Sequence, residues 1–397
     1  TTPSANVIPF NLHQPRIHQF NFTFERELGR NIGVRISYLG TRMQRLIAGK
    51  DLNEIVPSST PFGTTIGDGV TICDPFNNGD CDLSPADIAR RPFPELGDFL
   101  ASYGNIGTGK SNALQLQVTR RFTAGFSFDA SYTLLDQKSN VGDAADSSLG
   151  DPLYNQFVVQ NDFSRDSFVS RHRFTATALY DLPFGHGRHY GATTSGVVNA
   201  VLGGWQLSTA LFAKSGTGFT PWYDCGDCDP VWPGNVGSGF PDATAGFNNG
   251  TYRPRLVGEP RAGVSGDIIF NAAAFAPPDV GSDVFNSGVR RQILTGPGSW
   301  SANLGIRKNF KLTERVVLNV GVLFDNLFNH PLLSPVDLTD DFSRVGTINL
   351  EVNQTTGKLL PITSVDPNPN FGRLNRSFSQ EGFDSRRSVR LTLRLTF

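Results

Sequence analysis

Apolar and polar residues take turns, one by one, along much of this chain. In "IHQFNFTFERELGRNIGVRISYLG" Phe20, Phe22 and Phe24 share one face, and Gln19, Asn21, Thr23 and Glu25 share the other. After the short "ELGRN" turn the pattern resumes at Ile32, Val34, Ile36 and Tyr38. A period of two is the signature of a strand, and two such runs about a short turn predict a hairpin. "NALQLQVTRRFTAGFSFDASYTLL" repeats the figure around Thr123 to Gly125. A third hairpin joins "RHRFTATALYDLPFG" to "GGWQLSTALFAKSG" by a longer turn, and a fourth joins "WSANLGIRKNF" to "VVLNVGVLFDNLFNH" across "KLTE". The chain closes on a lone strand, "RSVRLTLRLTF", in which Val389, Leu391, Leu393, Leu395 and Phe397 oppose Ser388, Arg390, Thr392, Arg394 and Thr396. The fold class expected is therefore all-β and antiparallel, with about nine long strands.

The spaces between the hairpins are as informative as the strands. They cover roughly residues 47 to 109, 139 to 167, 218 to 297 and 331 to 385. Loops beyond ~15 residues are unusual in compact soluble domains. The strand runs, at about 10 to 14 residues, also exceed the ~5 or 6 of a soluble β-sandwich, which an apolar inner face would otherwise suit. Short turns alternating with long loops, and strands with one apolar face, are the features of a transmembrane β-barrel of the bacterial outer membrane. With Phe397 in the periplasm, counting back places every short turn there and every long loop outside. The apolar rows then face lipid, and Arg390 and Arg394 face a wet lumen. Nine is an odd number, and single-chain bacterial barrels use even ones. An open sheet would leave two unpaired edges in hydrocarbon, so the expectation is that residues 1–397 form the C-terminal part of a larger barrel. A tenth strand at "SRVGTINLEV" would instead complete a small one.

Composition narrows the classes. Only 38% of the 397 residues are hydrophobic, Gly numbers 42 and Phe 31, and no run approaches the ~18 apolar residues that a membrane helix needs. A formal net charge of −1 without a Lys/Arg run gives no footprint for nucleic acid.

Several stretches together resemble the barrel of the Oar-like TonB-dependent receptors: "QFNFTFERELGRNIGVRISYLGTR", "RPFPELG", "SNALQLQVTRRFTAGFSFDASYTL", "RHRFTATALYDLPFGHGR", "LGGWQLSTALFAKSGTGFTP", "LTGPGSWSANLGIRKNFKLTERVVLNVGVLFDNLFNHP", "FGRL" and the terminal strand. They occur in the family's order across nearly the whole chain. The resemblance implies a barrel of about 22 strands with a plug inside it, and often a regulatory-like domain before the plug. It also implies uptake of a substrate energised through contact between the plug's TonB box and the TonB complex. Plug and TonB box are absent from this sequence. The terminal strand ending on Phe resembles the signal read by the barrel-assembly machinery. A surface adhesin or a structural, porin-like barrel without active transport is the alternative.

Candidate chemistry is sparse. Cys73 with Cys81 and Cys225 with Cys228 are close pairs in Gly/Asp-rich sequence, which suits loop disulfides in an oxidising compartment better than a redox or zinc site. Asp74, Asn77, Asp80 and Asp82 offer oxygen ligands of the kind calcium takes, without the full spacing of a calcium loop. His186 and His189 fall in a turn, and Arg171, His172 and Arg173 begin a strand at its rim, where solvated side chains are expected. No motif of an enzyme or of a cofactor site is present. Tyr38, Tyr132, Tyr180, Trp205, Trp300 and Phe328 lie where strands should cross a membrane interface, as an aromatic girdle requires.

Overall fold

A computed structural model describes residues 8–29, 31–53, 92–93, 95, 101–141, 163–194, 196–225, 253–277, 288–311, 313, 315–335, 342–348, 362, 364–375, 379–380, 383–384 and 386–397. Nine long strands run through them: β1 (Arg16–Leu28), β2 (Ile32–Asp51), β3 (Ala101–Thr123), β4 (Phe126–Ser139), β5 (His172–Asp181), β6 (Trp205–Lys214), β7 (Ser299–Lys311), β8 (Val317–Asp325) and β9 (Ser388–Thr396). They form one sheet in chain order, each antiparallel to the next, and Ser164–Arg165 adds a two-residue strand to β4. The sheet is open. Among the described residues β1 and β9 each pair on one side alone, and every residue of both strands is exposed.

The register carries one stripe pattern across all nine strands. Phe22 stands opposite Tyr38, Tyr38 opposite Leu114, and Leu116 opposite Tyr132. Tyr132 in turn faces Phe174, Leu211 faces Ala176 and Ala302, Ile306 faces Val322, and Val322 faces Leu391. Because side chains alternate at every residue, a single slip between two strands would have turned one stripe over. None does so, and the apolar face is continuous from edge to edge.

At one end the strands meet in short turns. Ala124 (φ 53°) and Gly125 (φ 79°) join β3 to β4 as a two-residue turn with both central residues left-handed, the type whose twist matches that of the flanking strands. Between β7 and β8, Thr313 Oγ1 accepts the backbone N–H groups of Arg315 (3.3 Å) and Val316 (3.1 Å). The β5–β6 connection holds a short helix, α1 (Gly196–Leu202), which alternation does not foretell.

Two sequence expectations change. β2 and β3 run on to Asp51 and back to Ala101, so the connector begins later and ends earlier than 47 to 109. Their upper part, "YGNIGTGKSN", has no alternation, and it pairs through two register shifts with Gly107 packed against Leu46 and Val141. The candidate tenth strand does form, as Arg344–Ile348, but it pairs with Trp222–Cys225 and Val365–Pro367 in a separate three-stranded sheet and not in the wall.

Replacing Gly125 with Val puts a β-branched side chain at positive φ and its Cβ 3.2 Å from the Asp181 carbonyl. The expected cost is about 1–3 kcal/mol, read as a lower urea midpoint for the protein folded in detergent micelles. Ala124→Gly is expected to leave that midpoint unchanged or to raise it.

Candidate functional site

The two faces of the sheet differ chemically. On the polar face a ladder crosses four strands: Glu25 pairs with Arg35 (2.5 Å), Arg35 donates to Gln117 (3.3 Å), and Gln117 donates to Asp129 (2.9 Å). Shorter links follow the same face, Thr23 to Ser37 (3.0 Å), Ser131 to Thr175 (2.7 Å), Gln206 to Asp181 (2.9 Å) and Arg390 to Asp325 (2.8 Å). Each polar side chain meets a partner one strand away, because cross-strand neighbours are the contacts that a pleated face offers.

The apolar face is a band with polar limits. On β3 it runs from Asn112 to Arg120, with Leu114, Leu116 and Val118 between them, about 27 Å along the strand at the usual rise. Tyr38 and Arg42 both donate to Asn112 at the loop end (3.0 and 3.2 Å), and Arg120 lies 5.2 Å over the Phe126 ring at the turn end. The predicted aromatic residues lie at several heights on this face. Tyr132, opposite Leu116 in the middle of the β3 band, has its Oη 2.7 Å from His172 Nδ1, and toward the loop end Trp300 packs on Phe328 and His330. At the turn end Tyr180 packs edge-on against Phe126, and Trp205 starts β6.

The apolar core lies outside the sheet. Tyr223, Phe270, Phe275, Leu294, Phe342, Val345, Ile348, Phe371 and Leu374 are all buried and form one cluster, although they come from the connectors after β6 and after β8. Ring contacts hold it together, with Phe219 edge-on to Phe342 (4.7 Å) and Phe275 edge-on to Phe371 (5.7 Å). Buried Tyr223 donates to the Phe275 carbonyl (3.0 Å), and burial pushes its phenol up to about 12. The two connectors thus fold on one another as a cap.

The cap is tied to the polar side of the wall. Asp166, 4% exposed at its side chain, accepts from Ser139 Oγ (2.6 Å) and Gln137 Nε2 (2.9 Å), both on the polar face of β4. Arg291 of the cap lies 3.7 Å from Asp166 and donates to the Ser139 carbonyl (2.9 Å). A buried pair of this kind holds its geometry through the extra hydrogen bonds around it.

Beside the core the cap bears an open hollow of about 950 Å³. Its apolar lining includes Leu256, Val257 and Ile293, all exposed, and its charged lining is Arg255, Arg261 and Arg290 with Glu259 as the one acid. Arg261 donates to the Thr295 carbonyl (2.6 Å) and stacks 5.8 Å over Phe270. The arrangement suits an anion with an apolar part. Spacing gave no sign of it, since the three arginines span 36 positions without a motif.

Other predicted residues are scattered. His186 and His189 are exposed in the β5–β6 turn, and the His186 N–H donates to Asn199 (2.7 Å). Arg171, His172 and Arg173 are exposed at the start of β5. Val389, Leu391, Leu393 and Leu395 lie exposed on the apolar side of β9, followed by Phe397. Cys73, Cys81 and Cys228, the Cys225 side chain, and Asp74, Asn77, Asp80 and Asp82 lie outside the described residues.

The family model described as "Outer membrane beta barrel domain" matches residues 1–377. No curated protein matches the chain. Among solved structures it is similar to the outer membrane transporter YddB from Escherichia coli, at 9% identity and a TM-score of 0.39, over 85% of this chain and 32% of that one. It is also similar to BauA, the ferric preacinetobactin receptor from Acinetobacter baumannii (10%, 0.37, 96% of this chain and 29% of that one). A third is the ferric yersiniabactin uptake receptor FyuA from Yersinia pestis (10%, 0.35, 96% and 30%). The chain spans about a third of the length of these proteins.

Two outcomes test the cap. Asp166→Ala leaves the Arg291 guanidinium buried without its carboxylate, at a cost of roughly 3–5 kcal/mol. Tryptic cleavage within residues 253–295 is expected to accelerate, while the wall keeps its heat-modifiable migration in SDS. Tyr223 sets a pH dependence. Its phenol titrates near 10 when unfolded and near 12 when folded, so its contribution is intact below pH 10 and declines from pH 10 to 12, by roughly 2–3 kcal/mol in all. Denaturant midpoints followed by fluorescence from the cap should show that slope, and Tyr223→Phe should flatten it.

Proposed function

The chain belongs to the outer membrane beta barrel domain family, and from that premise we propose that it is wall and mouth of an Oar-like, TonB-dependent transporter of the bacterial outer membrane. The observation that carries this reading is the cap: an aromatic-cored unit pinned by Arg291 and Asp166 to the polar side of a two-faced sheet, with an arginine-lined hollow beside its core. A receptor that must capture a dilute substrate before moving it has a use for a folded, arginine-lined hollow of this kind. The hollow's three arginines against one glutamate favour an anionic substrate with an apolar portion.

In this reading the apolar face meets lipid, the polar face lines the lumen, the long loops are extracellular and Phe397 is periplasmic. The open edges at β1 and β9 pair with further strands of a barrel of about 22, because unpaired edge groups have no place in hydrocarbon. Residues 1–397 then supply nine of those strands, and coupling to the TonB complex runs through a plug. Tyr38, Trp300 and Phe328 form the outer aromatic girdle, and Tyr180 and Trp205 the inner one. The β9 apolar row and Phe397 are the signal for the barrel-assembly machinery.

Depletion of solutes from a complex medium, followed by mass spectrometry, tests this reading in cells with and without the full-length protein. The expected result is selective depletion of acidic solutes that stops when an uncoupler collapses the proton-motive force, and that falls at least several-fold in an Arg255→Ala, Arg261→Ala, Arg290→Ala variant. Depletion indifferent to the uncoupler would make the protein a passive pore. No depletion at all would leave an adhesin or a structural barrel.

A further inference from the structure

Helix α1 is a small element with an unpartnered greasy side. Val197, Val198, Val201 and Leu202 are 79, 51, 60 and 49% exposed, and on a 3.6-residue turn they occupy one side. Asn199 points the other way, into the β5–β6 turn, where its Oδ1 accepts the His186 N–H.

The side of the wall on which the helix lies follows from register. Lys308 stands opposite Trp205 and in line with Ile306, Leu304 and Trp300, so it belongs to the apolar face. From there its ammonium donates to the carbonyls of Val201 (2.9 Å) and Gly203 (2.6 Å), at the helix's C-terminal end. The Trp205 indole N–H donates to the Val201 carbonyl as well (2.9 Å). Two side chains of the apolar face thus hold the end of α1, and Lys308 itself sits over the rings of Trp205 (4.6 Å) and Phe310 (5.1 Å). Cations at a helix C-terminus satisfy its last carbonyls. Here they also fix the helix against the outer surface of the barrel wall.

We propose that α1 is a membrane-surface anchor, whose valines and leucine insert into the interfacial region of the phospholipid leaflet at the turn end of the barrel. This rests on the reading of the sheet's apolar face as lipid-facing, with which the helix is continuous through Trp205 and Lys308. A helix lying in the plane of the interface, apolar side down and its end tied by an indole, is the arrangement that interfacial helices adopt. The anchor holds the long β5–β6 connection against the membrane, where the other short turns carry nothing comparable among the described residues.

The test uses the full protein in phospholipid vesicles that carry bromine on the acyl chains, either near the headgroup or deep. Val198→Trp and Leu202→Trp are read as the emission gained over the wild type, after heat-modifiable migration has shown each to be folded. Leu211→Trp, in the middle of the sheet's apolar face, is the reference. The expected result is blue-shifted added emission in both helix variants, quenched more by shallow than by deep bromine, with Leu211→Trp quenched more by deep bromine. Unquenched helix variants beside a quenched Leu211→Trp would overturn the anchor alone. Three unquenched variants would overturn the lipid-facing reading and the anchor with it. If one helix variant fails to fold, the other decides.

Discussion

A peptide N–H or C=O in hydrocarbon has no water to turn to, and each one left unpaired costs several kcal/mol. The architecture of the nine-stranded wall answers to that constraint. It makes the nine strands long and neighbours in chain order, since a meander pairs each strand with the next without a crossover inside the apolar layer. It also makes register strict. The faces of Phe22, Tyr38, Leu114 and Leu116 must stay in one layer with Val322 and Leu391 at the far edge, and the pairing keeps them there through eight successive interfaces.

With the apolar side turned outward, the sheet has no interior of the ordinary kind, and its polar side is held by exchanges between neighbouring strands. Glu25, Arg35, Gln117 and Asp129 do this across four strands. Exposed pairs of that sort contribute about 0–1 kcal/mol apiece, so their main effect is to order the side chains that line the surface. Hydrophobic burial is concentrated in the cap. There Phe270, Phe275, Phe342 and Phe371 are nearly inaccessible, and each contributes on the order of 1.5–3 kcal/mol by leaving water. Wall and cap therefore rest on different physics, and the Arg291–Asp166 pair is where one is attached to the other.

What could be read from the sequence follows the same division. Alternation located all nine wall strands, because a period of two is local and needs no partner to be visible. It failed above the band on β3, where Gly104, Gly107 and Gly109 interrupt the alternation and the pairing with β2 shifts register twice. Helix α1 escaped because seven residues, "GVVNAVL", are too few for a period to show and include three valines, which favour strands. The cap escaped for a different reason. Tyr223, Phe270, Phe342 and Phe371 are separated by tens of residues, with the β7–β8 hairpin between Phe270 and Phe342, so nothing local links them. "SRVGTINLEV" was legible as a strand, but its sheet was not. A strand buried among aromatic rings and one facing lipid present the same alternation, and only partners tell them apart.

The attachment point decides which face of the sheet carries the cap. Gln137 and Ser139 lie on the polar face at the loop end of β4, and Asp166 is buried against both. The cap is consequently moored on the polar side of the sheet. Had Asp166 met β4 side chains of the opposite parity instead of Gln137 and Ser139, the same mooring would lie on the apolar face of the sheet. One residue of register in β4 therefore decides on which face of the sheet the cap is attached.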